Sequence, residues 1–74
     1  FLTKRLDIAE QAFRRAVNNH PDSVAALNNL AQTLSDMGRD GEALGLVQKA
    51  VALGGPLQDI ARSTQADIER KLKR

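Results

Sequence analysis

The sequence has 74 residues, eleven Lys and Arg against nine Asp and Glu, a formal net charge of +2 and 42% hydrophobic residues. A chain of this length forms at most one small domain, and burial of its core only about offsets the entropy lost on folding. The absence of cysteine excludes disulfides and thiolate metal sites and leaves the redox compartment undetermined. No apolar run approaches the roughly 18 residues that a membrane span requires.

The first predicted helix runs from Leu6 to Asn19, where apolar residues recur at steps of three and four. Its apolar stripe consists of Leu6, Ala9, Ala12, Phe13, Ala16 and Val17. Pro21 ends the helix, because the residue before a proline is pushed away from helical angles. Asp22 or Ser23 can then cap the next helix by accepting hydrogen bonds from its first amides.

The second predicted helix, Ser23 to Met37, has an apolar stripe and a separate polar row. The stripe consists of Val24, Leu27, Leu30, Ala31, Leu34 and Met37. The other faces, including the polar row, consist of Ala25, Asn28, Asn29, Gln32, Ser35 and Asp36. Gly38 is well placed to take the left-handed conformation just past the helix end.

The third predicted helix runs from Asp40 to Leu53, and its core residues are small or β-branched at several positions. They are Ala43, Leu44, Val47, Ala50 and Val51. Gly45 lies inside this helix and costs about 1 kcal/mol relative to alanine. Either a neighbouring helix packs closely against Gly45 or the helix is locally weak.

Gly54-Gly55-Pro56 is the strongest break in the pattern and separates off a last helix. That helix has a thinner stripe of Leu57, Ile60, Ala61, Thr64, Ile68 and Leu72. Its end is rich in positive charge, which is favourable near a helix C-terminus. The simplest interpretation of this basic end is a capped and solvated terminus.

The pattern of small and apolar residues returns after 34 positions. The corresponding pairs include Ala9 and Ala43, Phe13 and Val47, Ala16 and Ala50, Val17 and Val51, Leu27 and Ala61, and Leu34 and Ile68. A 34-residue period built from helix-turn-helix units is the signature of the tetratricopeptide repeat. The chain resembles that family across residues 1–74, with the second helix of one repeat, one complete repeat and a C-terminal capping helix.

The resemblance implies an all-α fold, a short superhelix of about four antiparallel helices in one domain. Its first-helix pattern is carried by Leu27, Leu30, Ala31 and Leu34, and its second-helix pattern by Ala43, Val47 and Ala50. Small residues at such positions let helix axes approach to about 8 Å. Pro56 falls one residue later than the family's proline, so we expect the last helix to be rotated or shifted. Because the sequence does not begin with methionine, we also expect a processed chain or a piece of a longer protein.

The polar residues offer no grouping suited to catalysis. His20 is the only histidine, lies in a loop before a proline, and has no apparent nucleophile or paired carboxylate. The acidic residues lack metal-ligand spacing, and Gly54-Gly55-Pro56 lacks the lysine and hydroxyl residue of a phosphate loop. The sequence therefore predicts neither an enzyme nor a cofactor. Nucleic acid is also disfavoured, because no aromatic residues are placed to stack on bases.

The resemblance implies that the polar row of the second helix lines a concave groove. An asparagine placed like Asn29 can hydrogen-bond the backbone of an extended peptide, because an amide both donates and accepts. The candidate peptide-binding residues are Asn28, Asn29, Gln32, Ser35, Asp36 and Arg62. An ordinary solvated face is the alternative. No cation lies on this face and Arg62 and Arg70 are poorly placed, so we expect no strong clamp on a peptide carboxylate.

These residues predict a protein-protein interaction module whose partner is a peptide or helix of another protein. The alternative is a structural module that pairs with itself or with another part of a larger protein. Phe1, Leu2 and Leu6 lie where a preceding helix would cover the stack, and fewer than about three repeats are rarely stable alone. The sequence does not identify the partner.

Overall fold

The structure, a computed structural model, describes residues 2–73, with the side chains of residues 5–73. It consists of four helices: α1 (Leu2–Asn19), α2 (Val24–Asp36), α3 (Asp40–Leu53) and α4 (Gln58–Leu72). No strand occurs between residues 2 and 73, so the all-α prediction is confirmed. Helix α1 begins four residues before the predicted start, whereas the bounds of α3 are as predicted.

Both ends of α2 are closed by the caps that the sequence predicts, a side-chain cap at the start and a glycine cap at the end. Ser23 is the N-cap, and its Oγ accepts a hydrogen bond from the N–H of Ala26 at 3.2 Å. At the other end Gly38 has φ +83°, in the left-handed region that glycine favours. The N–H of Gly38 donates to Ser35 O and that of Arg39 to Leu34 O. This Schellman arrangement turns the chain sharply into α3.

Helix α2 is the centre of the fold, because it packs against each of the other three helices. Its side chains Leu27, Leu30 and Leu34 are almost fully buried. Four alanines at the helix contacts are completely buried: Ala31, Ala43, Ala50 and Ala61. Their small size lets the helices approach closely, as the 34-residue pattern predicts.

The predicted core stripes of the outer helices are only partly right. On α4, Ala61, Thr64 and Ile68 are buried. The other three residues of that stripe, Leu57, Ile60 and Leu72, are exposed. On α1, Ala12 is exposed as well. The stripes are narrower than predicted because α1 packs only on α2, and α4 only on α3 and one side of α2.

Helix α1 is the least covered helix. None of its described side chains is buried, although Phe13 and Val17 pack against the core. Ile8 is 62% exposed. The N-terminal edge predicted from Phe1, Leu2 and Leu6 is described only at Leu6, which is half-buried; Phe1 and the side chain of Leu2 lie outside the described part.

Four charged side chains link α1 to the start of α3, although the backbones of these two helices do not pack directly. Arg14 Nη2 donates to Glu42 Oε2 at 2.7 Å, and Arg39 Nη2 donates to Glu42 Oε1 at 2.6 Å. Glu10 Oε2 accepts from both arginines, at 2.8 Å and 3.1 Å. The hydrogen bond from Arg14 lowers the pKa of Glu42, and the hydrogen bonds that Arg14 donates to Glu42 and Glu10 raise the pKa of Arg14.

We expect Glu42→Gln to lower the free energy of unfolding at neutral pH by less than about 1 kcal/mol, since the site is partly exposed. The folded pKa of Glu42 lies below its unfolded value, so its contribution is complete above the unfolded pKa and is lost as pH falls through the folded pKa. Urea unfolding at pH 7 and in acid below the ordinary glutamate pKa measures this. A difference between wild type and variant that persists undiminished in acid would contradict the expectation, and an Arg14→Met double-mutant cycle isolates the pair.

Gly45 is exposed, and a Cβ added there would meet no heavy atom within 4 Å outside its own helix turn. Close packing of a neighbour is therefore not the reason for this glycine, and local weakness of the helix is the alternative that stays as a prediction. We expect Gly45→Ala to raise the free energy of unfolding by about 0.5–1 kcal/mol. Urea unfolding measures the change. Gly38→Ala is the matched control, because its positive φ makes the same substitution destabilising.

Candidate functional site

Helices α2 and α4 lie side by side and run in the same direction. Gln32 Nε2 donates to Thr64 Oγ1 at 3.3 Å, and further toward the C-terminal ends of both helices Lys71 Nζ donates to Ser35 Oγ at 2.7 Å. Because residue numbers rise together on both helices, the two helices are parallel. Their facing sides enclose two clefts, which together we call the α2–α4 groove.

The polar cleft lies toward the C-terminal ends of the two helices and has a volume of about 290 Å³. It is lined by Gln32, Ser35, Asp36, Thr64, Asp67, Ile68 and Lys71. The lining therefore combines two carboxylates and one ammonium group with two hydroxyls, one amide and the apolar side chain of Ile68. Such a surface can hydrogen-bond both the donors and the acceptors of a peptide backbone.

Lys71 is the cation of the polar cleft and also connects three helices. Ser35 Oγ accepts from Lys71 Nζ and donates to Asp40 Oδ1 at 2.6 Å. Lys71 Nζ also lies 4.0 Å from Asp36 Oδ1. Asp67 forms an ion pair with Arg70 on the same helix. The hydroxyl of Ser35 is therefore used within the fold, whereas the exposed side chains of Gln32 and Asp36 remain accessible to a partner.

The apolar cleft lies toward the N-terminal ends of α2 and α4 and has a volume of about 180 Å³. It is lined by Val24, Ala25, Asn28, Asn29, Leu57 and Ile60. Asn29 is exposed, whereas Asn28 is only 6% exposed. Within the described part of the chain, Asn28 Oδ1 is a buried oxygen that has no hydrogen-bond partner.

Five of the six candidate residues from the sequence lie in the α2–α4 groove. Asn28 and Asn29 line the apolar cleft; Gln32, Ser35 and Asp36 line the polar cleft. Arg62 is exposed on α4 and lines neither cleft. Arg62 lies one 34-residue period after Asn28. It is therefore the residue of α4 that corresponds to Asn28 of α2 in the repeat. A side chain at that position points away from α2.

The α4 side of the groove was not predicted from the sequence. The sequence predicts a core position for Leu57, Ile60 and Thr64 and a solvated terminus for Lys71. It assigns Asp67 to no site. Positions 57, 60, 64, 67 and 71 follow helical steps of three and four, so they form one stripe. That mixed apolar and polar stripe is the signal that could have identified the groove.

The described residues include no group of three or more His, Cys, Asp or Glu that could hold a metal ion. None of the helices described is both long enough and apolar enough to cross a membrane. His20, the only histidine, is exposed in the loop between α1 and α2.

The comparison with protein families gives one informative match. Residues 23–54 match the tetratricopeptide repeat family. This range extends from the N-cap of α2 to the C-cap of α3, so it covers one helix-turn-helix unit. No curated protein and no solved structure gives a significant match. Such repeats indicate a protein-interaction scaffold in general and are typically non-catalytic. The chain is thus related to the tetratricopeptide repeat family, through a central repeat formed by α2 and α3 within an all-α, TPR-like fold.

Proposed function

We propose that this chain is a protein-protein interaction module that holds an extended peptide segment of a partner protein in the α2–α4 groove. The observation that carries the proposal is the side-by-side arrangement of α2 and α4, which places an apolar cleft and a polar cleft along one line. An extended segment can anchor a side chain in the first and hydrogen-bond through its backbone in the second.

The length of the groove supports an extended occupant. Asn28 and Asp36 are eight residues apart on α2, which corresponds to about 12 Å of helix at about 1.5 Å per residue. An extended peptide spans the same distance with about four residues. Asn29, Gln32 and Asp36 are exposed along this line and offer amide and carboxylate groups to the peptide backbone.

The charges of the groove favour a segment without a cluster of acidic residues. The polar cleft contains Asp36 and Asp67 against the single cation Lys71. Lys71 is already engaged with Ser35, and Asp67 with Arg70. A partner carboxylate would therefore meet more negative than available positive charge. That no strong carboxylate clamp is formed therefore remains our prediction.

The test begins with peptides selected from a random library on the immobilised protein and then titrated into ¹⁵N-labelled protein. We expect amide shifts in residues 24–36 and 57–71. Gln32→Arg places a bulky charged side chain in the groove and should weaken binding at least about tenfold, a loss of about 1.4 kcal/mol. Gln48→Arg makes the same change at an exposed position of α3 and should leave affinity unchanged. Shifts confined to α1 and α3 would refute the proposal.

A second candidate function is self-association through α1, and the specific support is the incomplete cover of that helix. None of its described side chains is buried, and Ile8 is largely exposed. Light scattering over a wide concentration range distinguishes the two functions. A dimer that dissociates in Ile8→Asp would support self-association, whereas a monomer at the highest concentration would rule it out.

A further inference from the structure

Asn28 lines the apolar cleft, and its buried side-chain oxygen is a hydrogen-bond acceptor that the described part of the fold does not satisfy. Asn28 is 94% buried, since its exposed fraction is 6%, and within the described residues its Oδ1 atom has no partner. A buried polar atom without a hydrogen bond costs roughly 1–3 kcal/mol, so native structures seldom leave one. A bound group that donates a hydrogen bond to this oxygen would remove that cost. The occupant should therefore carry a donor.

The walls of the cleft determine what else the occupant must be. Val24, Ala25, Leu57 and Ile60 surround the amide groups, and none of the side chains described by the structure that line the cleft is charged. A charged occupant would lose hydration without gaining a counter-ion, which is strongly unfavourable. Ile60 is 53% exposed and Leu57 38% exposed, so an apolar occupant would cover both. The occupant is therefore neutral and mainly apolar.

The size of the cleft indicates one large side chain. Its volume of about 180 Å³ is several times the roughly 30 Å³ that one water takes up in the liquid. The carboxamide of Asn28 is adaptable, because the terminal torsion of asparagine is broad. The oxygen is buried in the structure, so contact with an occupant requires a rotation about this torsion toward the cleft.

We propose that the apolar cleft binds the indole ring of a partner's tryptophan, with the indole N–H donating to Asn28 Oδ1. Indole has a donor and no acceptor, which matches the unpartnered Asn28 oxygen beside the apolar walls. It also brings a large apolar surface. An aliphatic side chain would fill the same space but leave the oxygen unsatisfied. This inference rests on the proposed function, since it specifies the anchor of the peptide that the groove would hold.

The chain contains no tryptophan and no tyrosine, so indole fluorescence reports the ligand without a protein background. The probes are N-acetyl-tryptophanamide and its analogue methylated on the indole nitrogen, which keeps the ring but lacks the donor. We expect saturable binding with a blue shift, and amide shifts in residues 24–29 and 57–60. The methylated analogue should bind about fivefold more weakly or worse, the effect of one typical hydrogen bond. On Asn28→Leu the two probes should bind equally.

A second variant keeps the test decisive if Asn28→Leu does not fold. Ile60→Ser changes an exposed residue in the wall of the cleft and should weaken the binding of N-acetyl-tryptophanamide severalfold. Leu53→Ser changes an exposed residue of α3 outside the cleft and should have no effect. The proposal is overturned by equal affinities of the two indoles for wild type, by N-acetyl-leucinamide binding as tightly, or by no saturable binding. If library peptides still shift the groove amides, only the tryptophan anchor fails; if they do not, the proposed function fails.

Discussion

Replacing Leu34 by alanine is expected to bring the domain to the edge of unfolding. Leu34 is completely buried on α2, the helix that packs against all three others. Truncation of a buried leucine to alanine costs about 2–5 kcal/mol, because the free energy gained by burying the removed apolar atoms is lost and a cavity remains. A single core in a chain of this size supplies no more than about 3–5 kcal/mol of net stability. The loss is therefore comparable to the whole margin.

Circular dichroism during heating and urea unfolding measures this effect. Ile68→Val removes one methyl group from the same core and should cost about 0.5–1.5 kcal/mol, so it gives a folded reference. Leu72→Ala is the matched control, because Leu72 is 47% exposed near the end of α4; its effect should stay within about 0.5 kcal/mol. A Leu34→Ala protein that melts like wild type would show that α2 is not the centre of the core.

The central repeat could be predicted from the sequence because local and long-range signals agree there. Ser23 begins α2, Gly38 ends it, and four of the six residues of the predicted apolar stripe are buried, Leu27, Leu30, Ala31 and Leu34. The small residues Ala43 and Ala50 recur at the period of the repeat and are buried in α3. Each signal alone is weak, but together they specify two helices and the faces that meet.

The orientation of α4 could not be predicted with the same success. Leu57 and Ile60 are apolar, and an apolar residue can lie in a core or in the wall of a cleft. The difference depends on which helices cover that side, and helical periodicity does not contain this information. The rotation or shift of α4 expected from the late Pro56 stays a prediction, whereas the structure shows that Leu57 and Ile60 line the apolar cleft.

The polar row of α2 shows a related limit. Amphipathic patterns assign one buried face and one solvated face, as if a helix had neighbours on one side only. Helix α2 has three neighbours, so Asn28 and Ser35 are buried although they lie in the polar row. Asn29 and Gln32, in the same row, remain exposed. Ser35 is satisfied by Lys71 and Asp40, whereas Asn28 Oδ1 is not satisfied within the described residues.

The groove depends on the helices beneath it. Helix α3 packs against both α2 and α4, so its side chains set how closely α4 approaches α2. The hydrogen bond from Gln32 to Thr64 joins the two helices at 3.3 Å. A substitution that changes the distance between α3 and its neighbouring helices should therefore change the groove, even when the substituted residue does not line the groove.

Ala43→Leu is expected to destabilise the fold and to disturb the groove. Ala43 is completely buried on α3 within the central core cluster, so the larger side chain has no free space. Overpacking a close-packed core costs about 1–3 kcal/mol through shifted backbone and strained rotamers. Urea unfolding measures the loss, and amide shifts of Gln32 and Thr64 report the movement of α4 relative to α2.

Ala52→Leu is the matched control, because Ala52 is an exposed residue of the same helix. Alanine and leucine have similar helix propensities, so the exchange itself should have little effect. Its unfolding free energy should stay within about 0.5 kcal/mol of wild type. If Ala43→Leu were equally harmless, the small residues would not be what allows the helices to nest. If it lost stability without any change at Gln32 and Thr64, the groove would be independent of α3. The expected result, loss of stability with a changed groove, follows only when helix spacing determines both.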